Sequence, residues 1–323
     1  MQKFARRCVG FTGILLLSFN LSYAEQGGAW NAAYGEGLAL RQEETGADFR
    51  QRLNDLVDDM KQKRQEEAVV AAELSARYMP KAKAHDMDGK VGIVDESFEY
   101  SHGSKAFDKL PLGFSLKSKY IGLDNSTQVK LPAKMTAVTA GLEATLPLFS
   151  VDKTYLRIGA YPSFFGDDWS FEASSFRTPA RLFFIHQPQD NLIFIAGVAV
   201  FPRFRSSVFP IVGVIYKPNE KLAFNLTPDR PNISYAFTDK LTVFAMGDAY
   251  YGEFEVDKDG QDAILQYKEY MLGSGFTFKF CDSVSMTFTG GSTFGRYLKY
   301  RDSLGKVNVD NGGFVEFRTE IKL

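Results

Sequence analysis

The chain has 323 residues with a formal net charge of −1, and removal of Lys3, Arg6 and Arg7 with an N-terminal signal would take that to −4. A near-neutral balance of this kind excludes a nucleic-acid-binding surface as the organising feature. No 18-residue apolar run follows the first 24 residues, yet 45% of the chain is hydrophobic, so the apolar residues are dispersed by alternation and not gathered into helical spans.

Lys3, Arg6 and Arg7 precede an apolar stretch from Val9 to Leu21, and Ser22-Tyr23-Ala24 is a small-x-small cleavage site. The stretch is shorter than the roughly 20 residues a helix needs to span a bilayer, so residues 1–24 are expected to be a cleaved signal peptide with the mature start at Glu25. Only Cys281 then remains, which excludes an intramolecular disulfide in the mature chain.

Residues 25–110 are expected to form a periplasmic helical segment and linker. Phe49, Leu53, Leu56, Val57 and Met60 recur at helical spacing behind a Thr45–Asp48 capping start, and Ala71, Ala72 and Leu74 extend the stripe weakly to Pro80. This predicts one helix over 46–79. At about 1.5 Å per residue it measures roughly 50 Å, too long to sit wholly inside a barrel whose apolar band is about 25 Å tall. Phe49, Leu53, Leu56 and Met60 are the candidate contacts of this helix with a periplasmic partner or a second copy. A single strand near 91–100 is assigned to the linker.

From 111 onward strand patterns recur: near 111–121, 135–149, 153–164, 176–187, 190–202, 208–217, 220–227, 231–238, 240–254, 264–280, 282–298 and 313–323. Alternation is clearest at the end. Val315, Phe317, Thr319 and Ile321 share one face, and Glu316, Arg318, Glu320 and Lys322 the other. Short connections such as 187–190 and 217–220 alternate with longer ones such as 122–134 and 255–263; the gaps 203–207 and 228–230 belong to the long set by alternation but are short. The predicted fold is all-β, a transmembrane antiparallel barrel of about 12 strands over 111–323 with an N-terminal α-helical periplasmic extension. Two segments, 191–201 and 208–216, are apolar on both faces, with small residues Gly197, Ala199 and Gly213; either another element covers them, the favoured reading, or an apolar solute touches them.

The segment Val208-Phe-Pro-Ile-Val-Gly-Val-Ile-Tyr-Lys-Pro-Asn-Glu220, followed by Arg230-Pro-Asn-Ile-Ser-Tyr-Ala-Phe237, resembles an uncharacterised family of bacterial outer-membrane β-barrel proteins. The resemblance implies a barrel and supplies no catalytic residues; Leu323 departs from the aromatic ending usual in such proteins.

The three histidines, His85, His102 and His186, come with no nucleophile motif, and the acidic turns Asp86–Gly89 and Asp257–Asp262 lack the spacing of a calcium loop. The expectation is therefore a non-enzymatic protein without cofactor, catalytic or metal site, located in the outer membrane. Its partners would be outer-membrane lipid and the barrel-assembly machinery. The leading function is a narrow channel for small solutes, with Glu143, Arg157, Arg177, Arg181, Lys279, Glu316, Arg318 and Glu320 lining the lumen. The alternatives are a non-conducting envelope scaffold whose N-terminal helix binds a partner and, last, a lipid hydrolase at the barrel wall.

Overall fold

Rows of opposite polarity on the two faces of each strand suit a sheet that closes on itself. A computed structural model shows that closure and describes residues 70–322 apart from 86, 107–109, 149–152, 168–174, 206 and 302–303. The signal peptide and residues 46–69 of the helix predicted over 46–79, with Phe49, Leu53, Leu56 and Met60, lie outside the described residues. The strands are β1 (Val70–Lys83), β2 (Lys90–Ala106), β3 (Leu110–Asn125), β4 (Lys134–Pro147), β5 (Thr154–Ala160, resuming at Ser163–Gly166), β6 (Phe176–Arg177, then Ala180–Gln189) and β7 (Leu192–Val200). There follow β8 (Val208–Tyr216), β9 (Leu222–Asn225), β10 (Asn232–Ala236), β11 (Leu241–Lys258), β12 (Gln261–Cys281), β13 (Val284–Tyr300) and β14 (Lys306–Val309, then Gly312–Lys322).

Each strand pairs antiparallel with the next, and β1 pairs with β14 from Ala71↔Lys322 to Tyr78↔Val315, giving a closed barrel of 14 strands. The count corrects the expected twelve, and the barrel begins at Val70, not 111. All twelve predicted strands are present as β3–β14. The two added ones come from the stretch assigned to helix and linker. Residues 70–79 are strand, not helix: Ala71, Ala72 and Leu74 have reasonable helix propensity, but β1 is paired along both edges, and those ladders outweigh a weak local preference. Pro80 is accommodated at the register shift between Met79 and Ala82. The pair β1–β2 preserves the even parity, so Val70 and Lys322 share one end of the barrel. Connections 190–191, 217–221, 237–240 and 282–283 belong to this turn end; 84–89, 126–133, 201–207 and 301–305 belong to the opposite, loop end.

The wall is uneven. β11, β12 and β13 have 18, 21 and 17 residues, whereas β9 and β10 have 4 and 5. The predicted long connection at 255–263 is instead a tight turn at Asp259 and Gly260, both in the left-handed region at φ 58 and 81. The exterior is apolar: Leu142 and Val315 are each 60% exposed, with Phe184, Leu272, Phe276, Phe280 and Phe288 also turned outward. The interior at the loop end is filled by a second apolar set, including Met79, Val91, Ile121, Met135, Phe254, Leu265, Leu298 and Val307. Val129 and Leu131 of the 126–133 loop pack on it.

A chain starting at residue 111 leaves β3 and β14 each with one unpaired edge and is expected to give no heat-modifiable band on SDS gels, whereas a chain starting at 65 is expected to give one. A heat-modifiable band from 111–323 alone would contradict the assignment of β1 and β2 to the wall.

Candidate functional site

The alternation that turns Leu and Phe outward turns charge inward, and at mid-height the interior is a continuous ion-pair belt. Arg77 of β1 pairs with Asp95 of β2 and lies 3.8 Å from both Glu269 of β12 and Glu316 of β14. Lys119 of β3 reaches Asp95 at 2.9 Å and lies 4.0 Å from the centre of the Tyr250 ring. Toward the turn end, Arg318 bonds Glu316 at 2.8 Å and Glu73 at 3.0 Å, and Lys117 bonds Glu99 at 2.8 Å. An ion removed from water needs partners of this kind, because an uncompensated buried charge costs several kcal/mol.

The two short gaps flagged in the sequence now have an explanation. β9 and β10 are too short to reach the loop end, and the 226–231 turn joins them at mid-height. Asp229 bonds Arg181 of β6 at 3.2 Å, while Arg230 reaches Asp248 of β11 at 3.1 Å and Glu316 of β14 at 2.6 Å. One six-residue turn thus ties three well-separated strands across the interior. Arg230 takes a left-handed backbone, φ 53, which is uncommon for a residue with a Cβ. A Cβ on Gly213 would come within 3.0 Å of Thr227, so the turn covers that small residue. Gly197 is covered too, with Phe183 and the Leu182 carbonyl against it.

The other short gap packs at the loop end. Phe204 meets Phe165, Phe201 and Tyr251, and the Arg205 N–H donates to Glu253 at 3.0 Å. Glu253, fully buried on the face of β11 opposite Phe254, also accepts from Tyr251, Gln266 and Arg301. At the rim, Lys130 bonds Asp259 at 2.6 Å; that hydrogen bond raises the ammonium pKa and lowers the carboxyl pKa.

The eight predicted lumen residues fall into separate groups. Glu316 and Arg318 belong to the central belt. Glu143 accepts from Tyr161 and lies 3.5 Å from Arg157, whose Nε donates to Thr145. Arg181 lies 5.1 Å from the Tyr161 ring centre and so adjoins this pair. Glu320 sits near the turn end with Ser285 at 3.4 Å and Lys322 at 4.0 Å, and Lys279 is exposed there. Arg177 stands apart at the loop end, donating to the Glu253 carbonyl and stacking on Phe204 at 4.9 Å. Sequence reading missed Arg77, Asp95, Lys119, Arg230 and Glu269. Asp95 and Arg77 lay in segments assigned to linker and helix. Arg230 lay in a turn, where alternation gives no inward or outward sign.

Replacing Arg230 by Ala leaves Glu316 and Asp248 facing the interior without their shared cation and is expected to destabilise the barrel by about 3 kcal/mol. Urea unfolding in detergent, with Arg230→Lys as the charge-retaining control, measures this; equal stability of both variants and the parent would remove the turn from the central network.

Among solved structures, the chain is similar to an outer membrane channel from Pseudomonas putida F1, at 9% identity and TM-score 0.44, covering 79% of this chain and 96% of that one. A TodX monoaromatic hydrocarbon channel mutant matches at 9% and 0.42, covering 79% and 89%, and the KdgM porin at 9% and 0.33, covering 78% and 99%. No curated protein matches the sequence. The family model for DUF6268, a domain of unknown function, matches residues 65–312, which takes in β1 through β13 and the first part of β14, and the chain belongs to that family.

Proposed function

We propose that this barrel sits in the bacterial outer membrane and passes small polar solutes through a narrow, mixed-charge lumen, and that the arrangement described is its closed state. The observation that carries this reading is the ion-pair belt from Arg77 to Glu316 inside an apolar exterior. Packed apolar residues often replace buried ion pairs at no loss of stability, so charge lining the interior supports a polar passage. Leu142, Leu272 and Phe288 would face lipid. The turn end, with Lys322, would face the periplasm, and assembly would use the barrel-insertion machinery. Closure comes from Met79, Leu265 and Leu298 under the 126–133 loop. The 226–231 turn narrows the middle.

A specific observation also favours the scaffold reading: the apolar layer at the loop end is packed shut. For the hydrolase alternative, His186 shares a hydrogen bond of 2.9 Å with Thr154 at the turn end, and no serine is part of that pair.

Planar-bilayer recording separates the first two. The parent protein is expected to be largely silent, and Leu265→Ser with Leu298→Ser is expected to yield discrete current steps. Adding Arg181→Glu to the opened variant should shift selectivity toward cations, because fixed lumen charge sets the local potential. Silence from the well-folded opened variant would transfer support to the scaffold. As a check on membrane placement, Leu142→Arg should cost about 2–4 kcal/mol in lipid vesicles, as charge on a lipid face does; a neutral effect there would speak against lipid contact.

A further inference from the structure

On the loop-end side of the 226–231 turn, the strand ladder between β8 and β11 is interrupted. β7 runs beside all of Val208–Tyr216, but β9 meets β8 only at Ile215↔Asn225 and Tyr216↔Phe224. Backbone groups along an antiparallel strand turn alternately to its two neighbours. The Leu226 N–H donates to the Val214 carbonyl at 2.8 Å, which turns the even-numbered residues of β8 toward β9. Val208, Pro210 and Val212 therefore present their backbone groups on an edge with no ladder partner among the described residues. Pro210 brings no N–H to that edge, which is where a sheet accepts proline. β11 mirrors this arrangement. The Gly247 N–H donates to the Pro231 carbonyl at 2.8 Å, and the pairing with β10 ends at Asn232↔Met246. Ala249 and Tyr251 come next on the same edge with no strand beside them among the described residues; beyond them the Glu253 carbonyl takes the Arg177 guanidinium.

The two edges bound a notch two strands wide. Its sill is the 226–231 turn, and its lintel is Phe204, whose ring centre lies 6.1 Å from that of Tyr251. Val212 stands four residues from the turn-end limit of β8, about 14 Å at 3.4 Å per residue, so the notch lies within an apolar band of about 25 Å. An open strand edge does not face hydrocarbon; at membrane depth it is buried in protein or lines a water-filled opening. Exposure speaks against burial. Around the outer rim Val208, Val212 and Leu226 are 59%, 72% and 51% exposed, and Pro210 and Ala249 are exposed as well. Behind the sill stand the pairs Arg181–Asp229 and Arg230–Asp248. An apolar rim in front of paired charges suits a solute with one end of each kind. We propose that the notch is a water-filled lateral window, through which the apolar chain of a single-chain amphiphile reaches the lipid while its charged end stays at the sill. The window rests on the outer-membrane placement and is independent of whether the loop end conducts.

Single thiols in a Cys281→Ser background test it in lipid vesicles, on heat-modifiable protein: Val212→Cys, Ala249→Cys and the lipid-facing control Leu142→Cys. With a nitroxide on each, contact with a water-soluble nickel chelate is expected to be about fivefold greater at positions 212 and 249 than at 142, as an edge lining water requires. With bimane at 212, doxyl-labelled decanoate is expected to quench saturably, whereas at 142 quenching should rise only in proportion to the decanoate in the bilayer. Low nickel contact at all three positions, or proportional quenching at both, would overturn the window. High nickel contact at 142 as well would instead refute the membrane placement on which the window rests. Spin–spin broadening between copies at 212 would mean that a second barrel pairs with this edge, and would also overturn the proposal.

Discussion

Everything in this barrel depends on one constraint: a charge turned away from water into a closed sheet must find its counter-charge on another strand. Arg77 meets it three ways, through Asp95 on β2, Glu269 on β12 and Glu316 on β14, and it also donates to the Met271 sulfur at 2.7 Å. These contacts couple the first strand to the last, at the seam where the barrel closes. Because β1–β14 is an ordinary antiparallel ladder, the backbone there could slip. A slip of one residue would turn Arg77 and Glu316 outward and Tyr78 and Val315 inward, exchanging the two faces. The ion pairs thus fix the register of the closure as much as they stabilise it.

The interior is layered along the barrel axis, and each layer follows from how far the charges extend. On β2 the inward row runs Val91, Ile93, Asp95, Ser97, Glu99, apolar at the loop end and acidic below. Inward residues of β3 follow the same course, with Leu123 and Ile121 giving way to Lys119 and Lys117. Opposite charges on adjacent strands then meet at the same height: Lys119 with Asp95, Lys117 with Glu99. The described interior is thus packed and apolar at the loop end and charged at mid-height.

Uneven strand lengths give the interior a crossing element among the described residues. With 4 and 5 residues, β9 and β10 bring their connection to mid-height, within reach of the facing walls. Asp229 and Arg230 satisfy that position by bonding opposite walls. The loop-end counterpart is the 201–207 segment, where Arg203 also takes a left-handed backbone and its carbonyl accepts from Arg301 at 2.9 Å. Both irregular connections use arginine, whose planar fork serves two partners at once.

Much of this was legible in the chain. Period-two alternation sorted Leu142 from Glu143 and Val315 from Glu316 without knowledge of any neighbour, because a strand's two faces are decided by its own pleat. The all-β class and the twelve strands from β3 to β14 follow from that local rule. What the sequence could not decide is which residues meet. The strand state of 70–79 depends on two partners, one more than 230 residues away, and the local pattern of Ala71, Ala72 and Leu74 is compatible with a helix. The inward fold of the 226–231 turn depends on the shortness of its flanking strands, and Arg230 earns its place only through Asp248 and Glu316. Local periodicity determined the faces; closure of the sheet, a global condition, decided the partners and therefore the site.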